Sequence, residues 1–308
     1  MRILILLFIT FTFHFNCYSQ SKLVFAQSKG ELNTGGTPDL MIYDVDTKKI
    51  ELLYKGSVKG RGEYSASFSP DKAKIIVNTY QFGGWKLGIA DYINGKIGEF
   101  KKFTSKSTYE YNAKWSNDGA FVAYQDFDWS TRDTEIFIAD KYGKNTKQIT
   151  KSKGGDRNPC WSIKNQSIIF TSGRVDDYDI YMLTLSTKKV VNITNNPSTD
   201  FAPSTSSKEE KIAFLSDREG SINLYTMDYN GNGLTNLTSK LKTDKITING
   251  FESNGCWAYQ TSWSKDGNYI VFNVMINSNL EIFTIKKDGT ELTRITNNKD
   301  SDFCPSWL

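Results

Sequence analysis

Residues 213–237 read AFLSDREGSINLYTMDYNGNGLTNL, and this stretch predicts three strands joined by two turns. Ala213-Phe214-Leu215 is a short apolar run that stops at Ser216-Asp217-Arg218-Glu219-Gly220. Ile222, Leu224 and Tyr225 carry a second strand up to Asp228, Asn230, Gly231 and Gly233, and a third leads to Leu237-Thr238. Gly and Asn tolerate the positive φ that tight reversals need, so the turns have a mechanism.

The same pattern recurs around 168–170, 121–124, 270–272 and, more weakly, 75–77. Each apolar strand there is followed by a second strand, a polar turn such as Asp140 to Gly143 or Asp288-Gly289, and an apolar-Thr pair such as Ile149-Thr150 or Ile295-Thr296. An aromatic-Ser pair introduces most copies: Phe68-Ser69, Trp115-Ser116, Trp161-Ser162 and Trp263-Ser264. Thr205-Ser206 takes that place in the opening stretch.

From Phe68 through Trp115, Trp161, Thr205 and Trp263 to Trp307 the steps are 47, 46, 44, 58 and 44 residues. A near-constant period of this length with four short strands per unit predicts an all-β, six-bladed β-propeller. Trp307 starts a further unit that breaks off at Leu308, and Leu23-Val24-Phe25-Ala26 begins where that unit would continue. The segment from Phe303 to Leu308 is therefore expected to complete the N-terminal blade, hiding two sheet edges.

These residues resemble the TolB-like family of WD40-like propeller repeats, whose pattern is roughly Pro-x-Trp-Ser-x-Asp-Gly, apolar strand, Ser-x-Arg, Ile-Tyr, Asp-Gly, Leu-Thr. Pro159, Pro203 and Pro305 stand two residues before the aromatic position or its equivalent, as in that pattern. The resemblance covers nearly the whole chain after its leader and implies the propeller fold. Propellers of this kind host binding modules, accessory domains and a few lyases, so it implies no single activity.

Met1-Arg2 and the apolar run 3–15 form a basic start and a core too short for a comfortable membrane helix. Cys17-Tyr18-Ser19 suits signal-peptidase cleavage after Ser19, giving a leader of 1–19 and one propeller domain of 20–308. The alternative is a lipoprotein signal acylated at Cys17, which Asn16 disfavours. Both readings export the protein to the periplasm or beyond, with no later transmembrane segment.

Lys+Arg 38 against Asp+Glu 34, spread along the chain, leaves no basic block for nucleic acid. Beyond the leader three cysteines remain: Cys256 and Cys304 are a candidate pair, and Cys160 is expected free and buried. The single histidine, His14, falls inside the leader. A mature chain without imidazole cannot run a Ser-His-Asp or Cys-His relay or offer His ligands to a metal. No Gly-x-Ser-x-Gly elbow or phosphate-cradling loop is present, and carboxylate-only glycoside chemistry stays open. No catalytic residue and no organic cofactor are assigned.

Five residues before each aromatic position stands Glu63, Glu110, Asp156, Asp200 or Asp302, with Ala258 in the sixth copy. At the head of the innermost strand these carboxylates are expected to ring one mouth of the central channel. One reading makes each a cap for the connection between blades, accepting backbone N–H groups. The other makes them a docking ring for a basic or hydroxyl-rich ligand, or a Ca2+ or other cation site, with Arg61 and Arg157 interleaved to relieve repulsion. Loops over 27–38, 79–85 and 125–134, and a long linker over 239–260, open on the same side. They carry Trp85, Trp129, Trp257 and Tyr259, with Tyr80, Phe82, Phe127 and Phe251, as a recognition surface for an envelope protein segment or a glycan. Two classes follow: a non-catalytic envelope binding propeller, and a carbohydrate-active propeller working through Glu63, Glu110 or Asp156.

Overall fold

The computed structural model of the chain describes residues 21–30, 35–175, 177–244 and 256–308. Six antiparallel sheets stand around one axis, each innermost strand touching the next. Those innermost strands are Tyr64–Phe68, Tyr109–Trp115, Asp156–Trp161, Asp200–Thr205, Thr261–Trp263 and Ser301–Trp307. The last one comes from the C-terminus and pairs with Lys22–Ser28, which pairs in turn with Asp39–Asp44 and Lys49–Tyr54. The chain is thus closed as expected, and the strand that ends it is almost wholly buried.

The repeated residues make repeated contacts. After the aromatic position the Ser hydroxyl accepts an N–H from five residues on, Lys74, Phe121, Ser167 or Tyr269, at 2.9 Å each. Ser116 also donates to Asp118 at 2.6 Å, which folds the corner back on itself. Gly119 and Gly267 sit in that corner at φ +71°, a conformation that an L side chain rarely adopts. In the third to sixth blades the Thr that ends the copy accepts an N–H from the blade's third strand, as Thr150 does from Ile136, Thr194 from Ile180, Thr238 from Leu224 and Thr296 from Ile282.

Blades are joined through their aromatic-position residues and apolar faces. Trp161 donates its indole N–H to the Lys114 carbonyl of the preceding blade at 3.0 Å. Thr205, standing where the other copies have an aromatic, donates its hydroxyl to the Trp161 carbonyl at 2.7 Å. Two local departures matter. In the second blade the outer position is shared by the two-residue ladders Lys96–Ile97 and Lys101–Lys102. In the sixth, a 3-10 turn, Cys256–Ala258, precedes a shortened innermost strand.

Cys160 and Cys304 are both free, buried thiols, each bonded to a main-chain carbonyl and with burial pushing its pKa up to about 12. Cys304 therefore forms no disulfide with Cys256, whose side chain lies outside the described residues.

Candidate functional site

The five carboxylates of the repeat are all at 0 % exposure. Each is held at the head of its innermost strand by groups of its own blade or of the connection leading into it. Glu63 accepts from the Ser57 amide and hydroxyl, Thr79 at 2.8 Å and Gln81 Nε2 at 2.7 Å. Asp156 accepts from Ser152, Ser172 and, through both oxygens, Arg174 at 2.9 Å. Asp200 is bound likewise by Arg218 at 2.8 and 2.9 Å and by Asn196. Asp302 accepts from Gln27 at 2.8 Å and Asn298 at 2.7 Å. Glu110 accepts from Thr104, and its Oε2 is buried without a partner.

Burial is the first cause that raises the pKa of Glu110, Asp200 and Asp302, the last to about 7. Among the described residues no three His, Cys, Asp or Glu side chains converge as a metal would require. Arg61 and Arg157 do not interleave the acids as expected. Arg61 lies over the Tyr80 ring at 4.2 Å, and Arg157 donates to the Gly154 carbonyl and faces Tyr178. The arginines that meet the carboxylates are Arg174 and Arg218, third residues of Ser-x-Arg and legible in the repeat itself.

The mouth beside these acids is stopped by rings. Tyr64, Phe201, Tyr259 and Phe303, from four different blades, belong to one buried cluster that Trp257 covers. Trp257 meets Tyr64 at 5.2 Å and Phe303 at 5.5 Å, so the turn before the sixth blade packs against the innermost strands of the first and second blades. Tyr259, expected on the loop face, is 1 % exposed and stands edge-on to Phe201 at 5.7 Å. Its side chain belongs to the buried cluster, on the segment between that turn and the shortened strand. Phe251 lies outside the described residues.

Of the other expected loop-face residues, Phe82 packs against the core of the first two blades and Tyr80 lies under Arg61, while the rest of those described meet in one place. Trp85, Trp129 and Trp257 line one cup of about 530 Å³ over the second and third blades, together with Tyr64, Tyr109, Tyr111 and Phe127. The rings brace one another edge to face: Trp129 meets Phe127 at 4.8 Å and Tyr109 at 5.6 Å, and Trp85 meets Tyr64 at 5.2 Å. These edge-to-face contacts fix the orientation of the rings, which preorganises the wall. Trp129 is 62 % exposed at its rim. It stands out on the turn between the paired strands Phe121–Asp128 and Asp133–Asp140, which run longer than Ser167–Ser172 and Asp179–Thr184 of the next blade.

Asn78, Asn112 and Gln125 also line the cup. Asn78 Oδ1 accepts the Asn112 N–H, and Gln125 Oε1 accepts the Asn158 N–H, each at 3.0 Å from one blade to the next. Gln125 Oε1 also takes a bond from Asn112 Nδ2. These amides and Tyr109 and Tyr111 were not singled out from the sequence. The signal was present in Asn78 and Gln125, amides inside otherwise apolar second strands, IIVNT and FVAYQ. Among the described residues, no side chain that lines the cup is charged.

The family model of the TolB β-propeller domain matches residues 103–256, half of the chain. No curated protein matches it. In three dimensions the chain is similar to TolB from Acinetobacter baumannii, with TM-score 0.71 and 17% identity, covering 93% of this chain and 66% of that one. The chain thus spans just under two thirds of that protein's length. It is also similar to a putative TolB from Agrobacterium tumefaciens, with TM-score 0.67 and 14% identity over 94% of this chain and 99% of that one. A chain of a nidogen/laminin complex reaches TM-score 0.68 at 7% identity over 93% and 98%. At these identities the likeness is one of fold.

Proposed function

Because this chain belongs to the TolB β-propeller domain family, we propose that it is an exported, non-catalytic binding propeller of the cell envelope whose ligand docks on the aromatic face above the second and third blades. The observation that carries this reading is the braced, uncharged cup with the exposed Trp129 at its rim. Concave sites lined by aromatic side chains with a few convergent polar groups are the usual form of a recognition pocket. Export rests on the leader 1–19, with acylation at Cys17 as the alternative anchor; residues 1–20 lie outside the described part.

The repeat carboxylates favour architecture over chemistry in this reading. Asp156 and Asp200 are both saturated by arginine and hydroxyl or amide donors and have no face free for a substrate. The cation site at the ring and the glycosidase reading of Glu63, Glu110 or Asp156 are set aside because every one of these carboxylates is at 0 % exposure, out of reach of a substrate. Asp156→Asn is expected to lower stability and leave no turnover to lose; a glycoside hydrolase activity in the wild type that this substitution abolishes in a folded protein would overturn the reading. Trp129→Ala is expected to remove capture of the envelope ligand by the immobilised protein. Unchanged capture by that variant would move the docking site elsewhere.

A further inference from the structure

We propose that the cup over the second and third blades takes an uncharged pyranose oligosaccharide, an inference that rests on the cup being the docking site. Asn78 is 1 % exposed, and its Nδ2 is buried with no hydrogen-bond partner. The orientation of that amide is set by the structure, because Oδ1 accepts the Asn112 N–H at 3.0 Å and Nδ2 must therefore be the other end. An unmatched buried donor is costly, and a ligand oxygen brought against it would recover that cost.

Gln125 adds a second donor by the same logic. Both bonds it accepts, from Asn158 and Asn112, fall on Oε1, and this leaves its Nε2 as the donor end. Asn112 uses its Nδ2 on Gln125, which leaves its Oδ1 as an acceptor. The cup therefore combines two N–H donors and one carbonyl with walls of braced rings.

A pyranose unit matches that set. Its C–H faces carry the slight positive charge that the negative faces of Trp85 and Trp129 attract, while its hydroxyl rim both accepts and donates. A volume of about 530 Å³ lies inside the roughly 300–1,000 Å³ range of small-ligand pockets. Two other ligand chemistries fit less well. A quaternary ammonium suits an aromatic cage, but unmatched N–H donors repel a cation. An anionic ligand finds no lysine or arginine among the lining residues.

Calorimetric titration of the purified protein with chitotriose, maltotriose and cellotriose tests this, with tetramethylammonium chloride as the parallel probe. The expected result is saturable binding of at least one trisaccharide with a change in tryptophan fluorescence. Trp129→Ala should weaken that binding tenfold or more. Asn78→Asp should do the same, since it keeps the acceptor for the Asn112 N–H and removes the donor. Tetramethylammonium should give no heat. If none of the trisaccharides binds while Trp129→Ala still abolishes envelope capture, the saccharide assignment falls and the binding reading stands. Trisaccharide binding that Trp129→Ala leaves intact also overturns the assignment, since the sugar then sits outside the cup. Tetramethylammonium binding that strengthens in Asn78→Asp overturns it in favour of a cation cage. Thermal melts of both variants separate loss of binding from loss of fold.

Discussion

The fourth and fifth blades and the second and third are built from one repeat and use it differently. In the fourth and fifth, Ser-x-Arg follows the second strand, and Arg174 and Arg218 close on Asp156 and Asp200 with two bonds each. The same guanidinium groups lie over Tyr181 at 4.6 Å and Tyr225 at 4.7 Å, so the cation is held on both sides. Eighteen residues after the acid, the second blade has Gln81 in place of arginine, and the third has Asp128. Glu63 is satisfied by neutral donors there, and Glu110 keeps an unpartnered oxygen. Where that arginine is absent in the second and third blades, their loops carry Trp85 and Trp129, and the aromatic cup forms. The proposed docking face thus lies where the repeat gives up its own lock.

The comparison breaks most easily at Arg218. Arg218→Ala leaves Asp200 buried at the head of its innermost strand without its cation, and a loss of about 3–5 kcal/mol in urea unfolding is expected. A loss below 1 kcal/mol would mean that the fifth blade is no more locked than the second.

The first blade stands between the two types, because amides replace the arginine around Asp302, whose pKa burial raises to about 7. The unfolded carboxyl titrates near 4, so between these values the native state holds the extra proton. Stability should therefore rise as pH falls from 8 to 5, by about 2–3 kcal/mol from this group at roughly 1.4 kcal/mol per unit. The surface acids Asp71 and Asp118, whose pKa hydrogen bonding to Ser69 and Ser116 lowers, give stability back only at more acid pH. Asp302→Asn should flatten the profile between pH 5 and 8, and a profile that keeps its slope would assign it to another group.

Gln81→Ala sharpens the contrast from the other side. Glu63 keeps its bonds from Ser57 and Thr79, and a cost of about 1 kcal/mol is expected in the same unfolding assay. A cost equal to that of Arg218→Ala would erase the distinction. Smallest in stability is Trp129→Ala, within about 0.5 kcal/mol of the parent because the ring is mostly exposed. A drop of several degrees in melting temperature would show that the rim is part of the core and not a contact surface.

The blade count, the closure of the ring by the last strand and the positions of the five acids were legible in the sequence. They follow from local rules: a period of about 46 residues, Gly and Asn at the reversals, and an incomplete unit at each end. Trp85, Trp129 and Trp257 were legible as loop-face residues because they fall in lengthened connections. What the repeat could not reveal was the fate of each side chain across blades. That Trp257 would lie against Tyr64 and Phe303, that Tyr259 would be buried against Phe201, and that Asn78 would bond the Asn112 N–H and be left with an unmatched donor depends on contacts between residues tens to hundreds of positions apart. Those contacts are decided by how six sheets tilt and meet around one axis, and no single repeat contains that geometry.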